Sequence, residues 1–263
     1  MIKHQFLVFI TLLILSCQNG LEVDTTKHTA TDPIADITYL KGYFYTTNLD
    51  NSTNAGPQID LYKFDDEFNP IDRFELDLNG QGYLAAANDG TNLYFQPRFT
   101  DYILKMTPLG ELFWFRSDRF EDNDKDSTFM FWRGRGIAWA DTNLVALYRH
   151  KDDSTLYRWR FLNVVEGGLQ TVFDTTIVWE HLNDNGAFAM EYYPGTAHDP
   201  DSKGFYILAT DISNQSILFW VDIYFQNIAI LDTIEENPMG FSMDENHGIY
   251  LSFPDRRIEK LTD

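Results

Sequence analysis

Basic residues, cysteine and long hydrophobic runs are all scarce in this 263-residue chain. Twenty Lys and Arg stand against 40 Asp and Glu, so the formal net charge is −20. Nucleic acid is therefore not expected as a partner, because a protein that binds phosphates needs a basic surface to release counterions. The chain has one cysteine, which excludes an internal disulfide. Hydrophobic residues make up 44% of the chain and aromatic residues 16%, which argues against disorder and allows a sizeable core.

The longest apolar run lies at the amino end. Residues 6–15 (FLVFITLLIL) follow a short segment with one Lys and no acid. A membrane-spanning helix needs about 20 apolar residues, so this run is too short to be a permanent anchor. It is typical of a secretory leader, and we assign residues 1–16 to a signal peptide.

The residues that end this leader resemble the lipobox of bacterial lipoproteins. The stretch Ile14-Leu15-Ser16-Cys17 has the aliphatic residue, the small residue and the Cys of that pattern, although Leu15 is larger than usual. The resemblance implies cleavage before Cys17 and its acylation, and several acyl chains give stable membrane attachment. The alternative is an ordinary secreted protein in which this Cys occurs by chance.

Residues 17–33 form a polar, Thr-rich segment, which is typical of a lipidated tether between membrane and domain. Gln18, and not Asp, follows the cysteine. By the same resemblance, this favours the outer membrane of a bacterial cell envelope.

Residues 34–263 are predicted to form one all-β domain built from repeats. Short runs of β-branched and aromatic residues alternate with turn clusters, and no helical period is sustained. Aromatic strands recur with starts 50, 51, 61 and 44 residues apart, at Gly42, Asn92, Asn143, Gly204 and Gly248. This spacing predicts a β-propeller of about five recognisable four-stranded blades. A six-bladed ring with one degenerate blade is the alternative.

The last repeat carries a more specific resemblance. Residues 239–263 resemble an NHL-type propeller repeat, and residues 84–113 match it more loosely. The residues on the pattern of the last repeat are Gly240, Asp244, Gly248, Tyr250, Arg257, Ile258 and Lys260. The resemblance implies a propeller of the type common among six-bladed proteins. It implies no activity, because related propellers bind proteins, hydrolyse lactones or serve as scaffolds.

The last repeat ends at its third strand, which would leave the edge of its blade open. Residues 21–26 (LEVDTT) alternate in polarity. We expect them to supply the missing outer strand, because an open edge invites aggregation.

Long insertions are expected on one face of the propeller. Connections from strand two to strand three, and from strand four to the next blade, emerge on the same face, and residues 47–58, 116–135 and 174–187 belong to these classes. Loops on a rigid scaffold usually carry binding groups. This insertion-bearing face is therefore the candidate site, although tolerated surface insertions would look the same.

Four residues on that face are candidate binding residues, namely Arg98, Trp132, Arg133 and Arg135. Guanidinium groups pair with carboxylate or sulfate in bidentate fashion, and Trp stacks on a sugar or an aromatic ring. Arg149 and His150 fall on the same face. The alternative is that the arginines pair with surplus acids between blades.

The first part of the longest insertion is acidic. Asp122, Asp124 and Asp126 alternate as the oxygen ligands of a calcium loop do. Ser127 stands where such a loop needs Gly, and Arg133 where it needs Glu. A solvated loop is therefore favoured over a Ca²⁺ site at these residues, and no cofactor is predicted.

Motifs of catalysis are absent from the sequence, which contains no nucleophile elbow, zinc-binding motif or phosphate-binding loop. We therefore expect a lipid-anchored envelope propeller that acts as a binding or scaffolding module for a protein or glycan, with the membrane as a second partner through its acyl chains. The alternative is a propeller hydrolase or transferase, similar to lactonases or arylsulfate transferases, with its site at the axial mouth.

Overall fold

A computed structural model describes ten ranges of the chain, which are residues 22–29, 34–50, 58–76, 84–97, 102–116, 132–166, 168–180, 182, 188–195 and 203–262. Every regular element in these ranges is a β-strand. No helix among them has the length and apolar character needed to cross a membrane. The predicted leader and Cys17 lie outside the described residues.

Twenty strands form five antiparallel sheets of four, which are the blades. The chain begins with β1 (Glu22–Thr29). Blade 1 contains β2 (Ile34–Leu40), β3 (Tyr43–Asp50), β4 (Gln58–Phe64) and β5 (Pro70–Leu76). Blade 2 contains β6 (Leu84–Asn88), β7 (Leu93–Pro97), β8 (Tyr102–Met106) and β9 (Leu112–Arg116). Blade 3 contains β10 (Trp132–Ala140), β11 (Asn143–His150), β12 (Leu156–Val165) and β13 (Gly168–Val178). Blade 4 contains β14 (Phe188–Tyr193), β15 (Gly204–Thr210), β16 (Ser216–Asp222) and β17 (Ile228–Ile234). Blade 5 contains β18 (Gly240–Met243), β19 (Ile249–Ser252), β20 (Arg257–Thr262) and the returning β1.

The first strands of the blades form a closed ring. In order, β2, β6, β10, β14 and β18 each contact the next, and β18 contacts β2. The prediction of an all-β propeller is confirmed with five blades, and the six-bladed alternative was wrong. Inner strands of neighbouring blades approach each other closely in this ring. A Cβ atom on Gly240 would clash with Asp36 of the neighbouring inner strand.

The propeller closes with a strand from the amino end. β1 pairs antiparallel with β20, with Val23 opposite Leu261 and Thr29 opposite Arg257. The expected outer strand is therefore present and extends to Thr29. This part of the predicted tether belongs to the last blade, because pairing with β1 covers an edge of β20 that would otherwise be open.

Apolar side chains fill the five spaces between neighbouring blades. The core between blades 3 and 4 is the most aromatic. Trp159 and Phe225 stack there with ring centroids 3.8 Å apart, and Phe205 packs parallel to Phe225 at 5.6 Å. Because the chain cannot form an internal disulfide, the face-to-face packing of blades stabilises the fold.

Residues that carried the NHL resemblance shape the turn between the first and second strands. The Tyr250 hydroxyl donates a hydrogen bond to Asp244 Oδ2 at 3.0 Å, and the Gly248 N–H donates to Asp244 Oδ1 at 2.8 Å. In blade 2, Tyr94 donates to Asp89 in the same way at 2.8 Å. These residues have a structural role on the face opposite the insertions.

Candidate functional site

The insertion-bearing face places three arginines at one end of two paired strands in blade 3. The inner strand β10 begins with Trp132, and its partner β11 ends at His150, so these two residues are opposite each other. Arg133 lies directly opposite Arg149. We call Arg133, Arg135 and Arg149 the arginine cluster.

Strand pairing extends further than the sequence predicted. Trp132, Arg133 and Arg135 were expected in a loop, but they lie within β10. That expectation was wrong because β11 continues to His150 and pairs with β10 along its whole length. The side chains are therefore held by a sheet.

A β-bulge sets the position of Arg135. The register of β10 against β11 shifts between Gly134 and Gly136, which leaves Arg135 as the extra residue. Bulges bend a strand and re-aim a side chain. Arg135 is 8% exposed and Arg149 1% exposed, whereas Arg133 is partly buried.

Tyr157 completes this side of blade 3. It lies opposite Arg149 on β12 and is fully buried. Burial raises the pKa of the Tyr157 hydroxyl, and the positive charges of Arg135 and Arg149 oppose that rise. The phenol therefore lies within electrostatic reach of both guanidinium groups.

Trp132 and His150 form an aromatic pair at the same end of the strands, on the opposite face of the sheet from Arg133 and Arg149. Their rings meet edge to face at a centroid distance of 5.2 Å. His150 Nδ1 accepts hydrogen bonds from the backbone N–H groups of Asp152 and Asp153, at 3.3 and 3.2 Å. This nitrogen is therefore engaged in a turn. The guanidinium group of Arg158 lies over the Trp132 ring, 5.6 Å from its centroid.

Other arginines of blade 3 are neutralised within the sheet. Arg158 donates to both carboxylate oxygens of Asp174, at 2.8 and 2.7 Å, and Arg160 donates to the same carboxylate at 3.0 Å. These hydrogen bonds lower the pKa of Asp174, against the effect of its burial. These three residues therefore form a structural ion-pair network within blade 3.

The neighbouring blade supplies a buried amide that sequence reasoning missed. Gln96, near the end of β7, is 1% exposed, and neither atom of its amide has a hydrogen-bond partner among the residues that the structure describes. Its side chain packs against Gly134, where an added Cβ would lie 2.9 Å from Gln96 Cγ and 2.7 Å from the Pro97 oxygen. Gly134 is therefore required for blades 2 and 3 to approach at this point.

The remaining predicted site residues lie outside the described ranges. They are Arg98, Asp122, Asp124, Asp126 and the lipidation site Cys17. Among the described residues, no group of three or more His, Cys, Asp or Glu side chains could hold a metal ion.

A second polar feature lies at the axis, where the five inner strands meet. Glu191, on β14, is partly buried, and its Oε1 accepts a hydrogen bond from the Ser242 hydroxyl of β18 at 2.9 Å. Ser242 Oγ in turn accepts from the backbone N–H of Tyr39 at 3.0 Å. Burial raises the pKa of Glu191 to about 8, although its hydrogen bonds oppose the rise. In the sequence, Glu191 was an isolated acid with no motif around it.

A second carboxyl group lies near Glu191 in the ring. Asp36, on β2, is 4% exposed and accepts hydrogen bonds from the backbone N–H groups of Ile37 at 2.9 Å and Ala86 at 2.8 Å. Burial raises its pKa well above its usual range, and the charge of Glu191 adds to that rise.

Comparisons with known proteins identify the fold. No protein-family model matches the chain, and neither does any curated protein. Among solved structures, glutaminyl cyclase from Myxococcus xanthus is similar at 14% identity, over 90% of this chain and 97% of that one, with a TM-score of 0.50. A catalytically inactive virginiamycin B lyase from Staphylococcus aureus aligns over 93% of this chain and 100% of its own, at 11% identity and a TM-score of 0.47.

A protein of unknown function from Bacteroides thetaiotaomicron aligns over 90% of this chain and 72% of its own, at 10% identity and a TM-score of 0.48. Identities this low carry information about the fold alone. Together with the closed ring of five sheets, the likeness to the cyclase shows that the chain is a β-propeller.

Proposed function

We propose that this protein is a lipid-anchored β-propeller of the bacterial cell envelope that binds carboxylate or sulfate groups of a protein or glycan partner at its arginine cluster. The observation that carries the proposal is the position of Arg133 directly opposite Arg149. This pair lies in a chain whose net charge is −20.

The cluster is costly without a negative charge nearby. Like charges opposite each other on paired strands destabilise a sheet, and the guanidinium group cannot lose its proton. Arg135 and Arg149 are also largely removed from water. Each of the three arginines has an interaction partner within the protein, so an anionic ligand would add to those contacts or exchange with them.

The chemistry of the cluster fits oxyanions. A guanidinium group donates two parallel hydrogen bonds to a carboxylate or a sulfate, which adds geometric specificity to charge attraction. Trp132 is partly exposed at the end of the same strand, but its side chain lies on the other face of the sheet. The proposed anionic ligand is therefore held by the arginines.

Binding can be measured on the full chain with defined probes. We would titrate oligogalacturonate, heparin oligosaccharides and oligoglutamate, with neutral maltooligosaccharides as the reference. Arg133→Gln should weaken binding of the anionic probe by about tenfold, because it removes one charge-assisted hydrogen-bonding group. Arg256→Gln, an exposed arginine on the same face in blade 5, should leave binding unchanged.

The outcome also separates the two partner classes. Preference for the saccharides indicates a glycan partner, and preference for oligoglutamate indicates an acidic protein segment. The cluster would instead be a structural feature if no anionic probe binds, or if the two arginine variants lose affinity equally.

Membrane attachment has its own test, because it rests on the lipobox resemblance. Radiolabelled palmitate should label the full chain expressed in a bacterial host. Cys17→Ala should abolish the label. A label that persists in the variant would refute the anchor and leave the binding site unaffected.

A propeller hydrolase or transferase is the second candidate function. It is favoured by Glu191, because a carboxyl group whose pKa is raised to about 8 can exchange protons near neutral pH. Turnover of a lactone or an aryl sulfate that Glu191→Gln abolishes would support it. Binding of the anionic probes with no turnover would favour the binding module.

A further inference from the structure

Exposed apolar side chains gather at the outer edge of blade 4. Tyr224, in the turn directly before β17, is 68% exposed, and Ile230 and Ile228 are 65% and 46% exposed. The two isoleucines lie on the same side of β17, where Ile228 is opposite Val221 and Ile230 is opposite Phe219 of β16. Val221 and Phe219 belong to the core between blades 3 and 4. The exposed isoleucines therefore continue that core outwards into solvent.

Blade 3 adds a phenylalanine at its own outer edge. Phe173, on the outer strand β13, is 46% exposed and lies opposite Phe161 of β12. These two rings meet edge to face at a centroid distance of 5.6 Å, and Phe161 lies 6.3 Å from Phe225 in the turn that carries Tyr224. Large exposed apolar surfaces are uncommon on proteins that stay free in solution. We call the following exposed residues the apolar patch: Phe173, Tyr224, Ile228 and Ile230.

The segment that carries most of the patch is uncharged. Residues 224–231 (YFQNIAIL) contain no Asp, Glu, Lys or Arg, in a chain of which 23% is charged. Asp222 and Asp232 bound this segment. The carboxylate of Asp222 accepts hydrogen bonds from three backbone N–H groups of its own turn. The patch therefore suits a partner that is apolar and carries no net charge.

The closing strand places the start of the tether beside blade 4. Glu22, the first residue of β1, pairs with Thr262 at the end of β20. Third strands end on the face opposite the insertions, so Glu22 lies on the same face as the turn with Tyr224. Blades 4 and 5 are neighbours in the ring, and Leu231 of β17 packs against the core that contains Leu261 of β20. Towards the amino end, the chain therefore leaves blade 5 next to blade 4.

The tether that follows is short. Four residues, 18–21, separate Glu22 from Cys17. An extended chain spans at most about 3.6 Å per residue, so Cys17 lies within about 18 Å of Glu22. Acyl chains on Cys17 would therefore bring the membrane surface to this part of the molecule.

We propose that the apolar patch contacts the surface of the membrane to which the chain is anchored, and that the insertion-bearing face is turned away from that membrane. This inference rests on the lipid anchor of the proposed function. A tyrosine suits the boundary between lipid and water, because its ring is apolar and its hydroxyl is polar. The lipid surface is zwitterionic, since a chain with a net charge of −20 is repelled by an anionic one.

The single cysteine allows a test that does not depend on acylation. The chain from Cys17 onward, which contains all five blades, is coupled through its thiol to a maleimide-bearing lipid in phosphatidylcholine vesicles. The vesicles also contain a phospholipid with a photoactivatable group in its acyl chain. This group reacts with side chains that reach below the headgroups, and mass spectrometry maps the crosslinked residues.

Crosslinks should be at least fivefold more frequent at residues 224–230 than at residues 211–215, the turn at the other end of blade 4. Ile212 in that turn is 68% exposed, as Tyr224 is. The two turns therefore present equally exposed side chains on opposite faces. Tyr224→Ser combined with Ile228→Ser should reduce crosslinking at the unchanged residues 225–227 at least fivefold, whereas Ile212→Ser should leave it unchanged.

Three results would overturn the proposal. The wild type could crosslink equally at both turns, it could fail to crosslink at residues 224–230, or the double variant could react as the wild type does. Each result would leave the palmitate labelling and the binding of anionic probes as they are. Failure of the membrane contact is therefore distinguishable from failure of the proposed function.

Discussion

The sharpest prediction concerns the pH dependence of stability. Glu191→Gln should leave the free energy of unfolding nearly unchanged at about pH 4 and raise it at about pH 9, relative to the wild type. Gln has the size of Glu and keeps a carbonyl oxygen that can accept the hydrogen bond from Ser242, but it never ionises. The variant therefore removes the cost of a charge and keeps an acceptor for the Ser242 hydroxyl.

The size of the effect follows from the two pKa values. The carboxyl group ionises near 4.5 in the unfolded chain and near 8 in the folded protein. Between these values the unfolded state has lost a proton that the folded state retains, so the free energy of unfolding falls as pH rises. The slope is about 1.4 kcal/mol per pH unit for one group, which sets a ceiling of about 5 kcal/mol. Because Glu191 is only partly buried, we expect about 2 to 3 kcal/mol after solvent screening.

Urea unfolding of the wild type, Glu191→Gln and Glu245→Gln at about pH 4, 7 and 9 measures this difference. The advantage of Glu191→Gln over the wild type should grow with pH and level off above about pH 8. Glu245→Gln should show no such trend, because its carboxyl group is exposed. A constant difference between Glu191→Gln and the wild type at all three pH values would refute the reasoning.

Three further predictions concern packing and closure. Gly134→Ala should destabilise the protein by about 2 kcal/mol, because its Cβ would meet a backbone oxygen of blade 2 at 2.7 Å. Gly168→Ala should leave the stability unchanged, because the space around Gly168 is open. Thermal unfolding of the two variants measures the difference. Deleting the outer strand β1 should lower the melting temperature and cause concentration-dependent association in light scattering, since it opens the edge of β20; a monomer of unchanged stability would contradict this. Tyr250→Phe should cost about 1 kcal/mol through the lost hydrogen bond to Asp244, while Tyr224→Phe, an exposed residue, should cost nothing measurable by urea unfolding.

The propeller could be predicted because its determinants are local and repeated. Aromatic second strands alternate with small-residue inner strands, and this pattern follows directly from the crowding of strands around an axis. Gly240 lies where the ring has no space for a side chain, and Tyr250 lies where its hydroxyl donates a hydrogen bond to Asp244 of the turn. The closing strand could also be predicted, because residues 21–26 alternate in polarity and the last repeat ends at its third strand.

The details of the site depended on distances that a sequence does not contain. Arg133 and Arg149 could be assigned to one face, but their direct opposition depends on how far β11 extends, and the bulge at Arg135 depends on both strands together. Asp36 and Glu191 belong to different blades, and only closure of the ring brings them near each other. In the sequence, Gln96 is one more residue of a buried strand. That its amide has no partner within the described part of the chain depends on the packing of blades 2 and 3.

The most direct test of the central claim is hydrogen exchange of the full chain with and without the anionic oligosaccharide that binds most tightly. If the arginine cluster is the binding site, backbone amides of residues 132–135 and 147–150 should be protected, and those of the turns at Asp89 and Asp244 on the opposite face should be unchanged. Protection confined to those opposite turns, or spread evenly over the five blades, would contradict the account.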